Sequence, residues 1–126
     1  MKMRLIGLGV LTVAVLAAPP LFAEDARQAR QQAEMQKARS QMSAEELAYC
    51  DNVLSKITAV STEAEVIALL GTPSRDIKVP GAGSKKNWWV TLGGKQSRVG
   101  VYFSGEGMAT EVVLDGNGRF YYRYKL

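Results

Sequence analysis

Two helix-start signatures followed by alternating strands with glycine turns limit what this chain can fold into. Ser43 with Glu46 three residues on, and Thr62 with Glu65, each form a capping box. In such a pair each side chain satisfies the other residue's free backbone donor, so a helix starts there. After the first box, Leu47, Cys50, Leu54 and Ile57 recur at helical spacing and share one face. After the second come Val66, Ile67, Leu69 and Leu70, then Gly71 where a left-handed helix stop belongs and Pro73 just beyond. These signals predict two short helices joined near residues 58–61.

From Trp88 the period changes. Trp88-Trp89-Val90-Thr91-Leu92 is aromatic and β-branched, and Gly93-Gly94 follows as a turn. Val99, Val101 and Phe103 alternate with Arg98, Gly100 and Tyr102, as in a strand with one buried face. Ser104-Gly105-Glu106-Gly107 turns the chain into another strand at 110–114, and Asp115-Gly116-Asn117-Gly118 signals a hairpin. The last strand is expected to bury Phe120, Tyr122 and Tyr124 and to turn Tyr121, Arg123 and Lys125 the other way. Helices first and strands after argue an α+β fold: two short helices packed on a three- to four-stranded antiparallel meander sheet. Between the two parts, residues 79–86 hold Pro80, Gly81, Gly83, Ser84 and two lysines, the composition of an exposed, mobile loop.

The N-terminal region reads differently. Lys2 and Arg4 precede an apolar run of 14 residues from Leu5 to Ala18, then Pro19, Pro20 and a small residue, Ala23. That is the pattern of a secretory signal peptide with a cut after Ala23. The run is shorter than the roughly 20 residues a membrane-spanning helix needs, and the two prolines would break its continuation. Residues 24–42 are rich in Ala, Gln, Arg and Glu, with only Met35 and Met42 as larger apolar residues. They favour helix but lack an apolar stripe, so a polar, partly helical tether is expected, or an arm that folds on contact with a partner. The expected organisation is a signal peptide over 1–23, the tether over 24–42 and the α+β domain over 43–126. With the signal removed, net charge falls from +4 to +2, too small an excess to imply nucleic acid. Localisation is then periplasmic or secreted.

Little in the chain points to catalysis. There is no histidine, the commonest general base and metal ligand. The lone Cys50 lies on an apolar helix face and reads as core packing, with an interchain disulfide as the alternative. The paired acids Glu45–Glu46 and Glu63–Glu65 belong to helix starts, and Asp115 to turn chemistry. No glycine-rich stretch leads from a strand into a helix as a nucleotide site requires, so no cofactor and no metal are implied. Trp88 and Trp89 are neighbours on a strand and must point to opposite faces. One enters the core, and the other, Trp89, meets solvent or a partner, with Tyr102 and Tyr121 on the same face. Alternation alone leaves open which face the helices cover. Candidate partner-binding residues are Trp89, Arg75, Lys85, Lys86, Tyr102 and Tyr121, since aromatic and arginine side chains dominate protein interfaces.

The order of parts resembles the BamE (SmpA/OmlA) family, which shares its fold unit with the β-lactamase inhibitor protein. The resemblance runs over Thr62-Glu63-Ala64-Glu65-Val66-Ile67-Ala68-Leu69-Leu70-Gly71-Thr72-Pro73, then Trp88-Trp89-Val90, Val101-Tyr102-Phe103-Ser104-Gly105-Glu106-Gly107 and Glu111-Val112-Val113-Leu114. It implies a non-enzymatic protein-interaction module of the cell envelope, serving outer-membrane protein assembly, with a protein partner and no cofactor. The lipid anchor of the best-known members is not expected, because no acylatable cysteine follows the signal, and Ala59-Val60-Ser61 stands where the family often has glycine. The inhibitor fold implies the alternative, a proteinaceous inhibitor of a secreted or periplasmic hydrolase that inserts residues 79–86 into an active site. N-terminal sequencing of the protein recovered from cells is expected to begin at Glu24; a mature chain that keeps Met1 would contradict the signal.

Overall fold

The computed structural model describes residues 19–81 and 83–126, with side chains from residue 24 onward. The apolar run of the proposed signal lies outside the described residues. Helix α1 spans Pro19–Ser40. Its start at Pro19 suits a residue that has no amide hydrogen to lose, and the proposed cut after Ala23 falls within it. The chain divides into two compact units, Met1–Glu34 and Met35–Leu126. In the first, side chains 24–34 are exposed throughout. Among the described residues no helix is long and apolar enough to cross a membrane.

The second unit opens with the last turn of α1, where Ala38 is buried, and Met42, just beyond the helix, joins the same core. A polar, partly helical tether is expected over 24–42, whereas residues 35–42 belong to this unit, with Met35 packed against the same core. Helix α2 (Ala44–Asn52), a 3₁₀ turn (Leu54–Lys56) and helix α3 (Glu63–Leu70) follow. Both capping boxes are formed as expected. Gly71 does end α3, but with φ 91° and ψ −167° rather than in the left-handed helical region, a conformation close to one only glycine adopts. That turn aims the Gly71 carbonyl at the sheet, where it accepts a 2.8 Å hydrogen bond from Trp88 Nε1.

The sheet has five antiparallel strands in sequential order: β1 Arg75–Val79, β2 Gly83–Leu92, β3 Lys95–Phe103, β4 Ala109–Asp115 and β5 Tyr121–Lys125. The extra strand corrects the expectation of three to four. Residues 79–86 are not a mobile loop. They close a β1–β2 hairpin through Pro80-Gly81, with Asp76 opposite Lys86 and Ile77 opposite Lys85. Gly83, at φ 106°, sits so close to the Phe103 carbonyl that a Cβ would overlap it. The composition that suggested a loop serves this tight turn.

Within Met35–Leu126 the helices cover one sheet face only. Trp88, Val99, Val101, Phe103, Val112, Leu114 and Tyr122 pack with Cys50, Leu54, Ile57 and Val66 into one core. The Cys50 thiol is buried there, 3.9 Å from the Met42 sulfur. Burial pushes it up to about 11, which makes it inert at neutral pH and out of a partner chain's reach. Glu46 is also fully buried, with 0 % exposure. Its carboxylate accepts from Arg119 Nη1 at 3.0 Å, from Ser97 Oγ at 3.3 Å and from the Ser43 amide at 2.9 Å. Burial alone would raise its pKa, but the Ser43 amide and the Arg119 guanidinium together hold it below the ordinary value.

A carboxyl held below its unfolded-state value contributes stability at neutral pH and loses it as pH falls through the folded value. Replacing Arg119 by Met leaves a buried charge with one strong partner fewer. The expected cost is about 2–3 kcal/mol at pH 7, measured by urea unfolding. The gap between parent and variant should narrow as pH drops from about 6 to 3.

Candidate functional site

Within Met35–Leu126 the face opposite α2 and α3 is bare, and the register sets its side chains in rows. Counting outward from the Gly93-Gly94 turn, Trp89 pairs with Arg98 and Lys85 with Tyr102. One row therefore runs Trp89, Arg98, Asp115, Tyr121 across β2 to β5. The next holds Arg75, Asn87, Gly100, Val113 and Arg123, and a third holds Ile77, Lys85, Tyr102, Glu111 and Lys125.

Five of the six sequence-proposed residues meet here. Trp89 is 50 % exposed and Tyr121 53 %, Arg75 is exposed on the edge strand, and Lys85 and Tyr102 are half-buried. Lys86 is not among them. It points to the helix side, is only 7 % exposed, and bonds Asp76 at 2.7 Å with Glu63 at 3.6 Å. The hydrogen bond from Lys86 holds Asp76 below the usual carboxylate range, and Asp76 in turn raises Lys86. Its role is to tie β1 and β2 to the start of α3. Extending the β2 alternation two residues back from Trp88 puts Lys86 on the buried side.

Cations lie on the aromatic rings of the bare face. The Arg98 guanidinium sits 6.0 Å from the Trp89 ring centre and also bonds Asp115 at 3.0 Å. The Lys85 ammonium lies 4.9 Å from the Tyr102 ring centre. Arg123 pairs with Glu111 at 2.9 Å. Beside Tyr102, Val79, Phe103, Arg123 and Lys125 line an open hollow of about 470 Å³. Arg98, Asn87, Gly100 and Glu111 were missed from sequence, although the glycine turn that fixes the β2–β3 register could have shown Arg98 beside Trp89.

No family model, no curated protein and no solved structure matches the chain.

The neighbouring tryptophans give a contrast. Trp88 is 2 % exposed and its indole bridges α3 to β2. Trp88→Ala is expected to cost about 3–5 kcal/mol in denaturant unfolding. Trp89→Ala, losing one exposed cation–π contact, should change stability by no more than about 1 kcal/mol.

Proposed function

We propose that the chain is a non-enzymatic protein-interaction module, exported to the periplasm and serving cell-envelope or outer-membrane protein assembly. The observation that carries this reading is the bare face of the sheet. Two large aromatic side chains, Trp89 and Tyr121, stand half in solvent in one row while the helices leave that side uncovered. Exposed aromatic side chains are what protein interfaces use for many of their strongest contacts. The resemblance to the BamE family supports the envelope setting, and the signal pattern supports export. The inhibitor alternative would have to insert the β1–β2 hairpin, whose second lysine is buried, in place of a mobile loop.

A photo-crosslinking residue placed at position 89 in living cells tests the proposal. Position 56, exposed on the helix side, is the control. A protein adduct specific to position 89 is expected and would be identified by mass spectrometry. Equal labelling at both positions, or none, would remove the bare face as the working surface.

A further inference from the structure

We infer that the bare sheet face docks an extended, acidic peptide segment of a protein partner. The inference rests on the interaction-module reading and specifies the partner's chemistry. Within Met35–Leu126, Lys and Arg number 12 and Asp and Glu number 9, an excess of three. The bare face alone carries five bases, Arg75, Lys85, Arg98, Arg123 and Lys125, against two acids, Glu111 and Asp115. All the excess positive charge of the folded unit is therefore on this face, and the remainder is balanced.

Both acids are already engaged, by Arg98 and Arg123. Among the described residues Arg75, Lys85 and Lys125 have no carboxylate partner. Lys85 and Lys125 belong to one row, three strands apart. At about 4.8 Å per strand their backbones stand about 14 Å apart, the reach of about four extended residues. Tyr102 and Glu111 lie between them, the acid already held by Arg123, and the hollow beside Tyr102, which Glu111 also lines, offers room for an apolar side chain of the bound segment.

One polar group on this face also lacks a partner. Asn87 is buried, and its Oδ1 accepts no hydrogen bond from the protein. It lies next to Gly100, where a Cβ would stand 3.2 Å from that oxygen and 3.1 Å from Lys85 Cε. Lys85 thus rests on the Gly100 shelf close to the amide. When its ammonium turns to a carboxylate, a peptide N–H can reach the waiting acceptor.

Other occupants fit less well. Single-stranded nucleic acid needs free ring faces for successive bases, and here Lys85 and Arg98 already lie over Tyr102 and Trp89, which leaves Tyr121 alone. A second copy would oppose a positive face to itself. Anionic lipid surfaces are held by clusters of four to eight bases, and this face has three free ones.

Fluorescence anisotropy tests the inference on the chain as cells process it. The probes are a labelled peptide with two glutamates four residues apart and leucine between them, its glutamine version, phosphatidylglycerol vesicles and an oligothymidylate. The glutamate peptide should bind best, weaken with added salt, and lose about tenfold or more in affinity to the Lys85→Gln/Lys125→Gln variant. Lys56→Gln should leave binding unchanged, and an unaltered melting curve shows that the double variant is folded. Equal binding of the two peptides, or no effect of the double variant, overturns the inference. So does a lysine-dependent preference for vesicles or oligothymidylate. A position-89 adduct whose contacting segment is neutral or basic overturns it too, while leaving the interaction module intact; absence of any adduct strikes the module itself.

Discussion

The buried carboxylate of Glu46 is the constraint around which the folded unit is arranged. A charge with no solvent contact is tolerable only if its oxygens are satisfied. Here the Ser43 amide, the Ser97 hydroxyl and the Arg119 guanidinium satisfy them. These three groups come from the start of α2, from β3 and from the turn before β5. One side chain thereby fixes where α2 begins and where it sits over the sheet. The Trp88–Gly71 bond does the same for α3. With both helices pinned, the opposite sheet face is left to solvent.

Much of this was legible in the sequence because its signals are local. Capping boxes, glycine turns and two-residue alternation each act over fewer than about five residues, and they located α2, α3 and strands β2 to β5. What the sequence hid depended on distant contacts. Glu46 was recognised as a cap, but its second role needs Arg119, 73 residues away. Residues 79–86, the end of β1 and the start of β2, read as a loop in sequence because Pro80, Gly81 and Gly83 suit a hairpin turn as well as an open one. Lys86 followed the same error. Its neighbour Lys85, in the same expected loop, lies on the bare face opposite Tyr102, which shows how much one step of strand parity decides.

The candidate site was partly legible for the same reason. Alternation placed Trp89, Tyr102 and Tyr121 on one face, and the structure agrees. Only tertiary packing could say that this face is the uncovered one. The partition of charge between the two sides of the sheet was invisible without the complete register, since a modest overall excess conceals a balanced side and a basic one.

Sequential strand order also has a consequence for assembly of the fold. Each strand pairs with the one just before it, so a chain emerging N-terminus first can build its sheet as it appears, with only short loops to close. The carboxylate at Glu46 is the exception. Its guanidinium partner arrives in the last turn, after four strands are in place. Until then the start of α2 must stay wet. Residues 119–126 therefore act as a latch, and α2 can settle dry onto the sheet only once Arg119 has joined it.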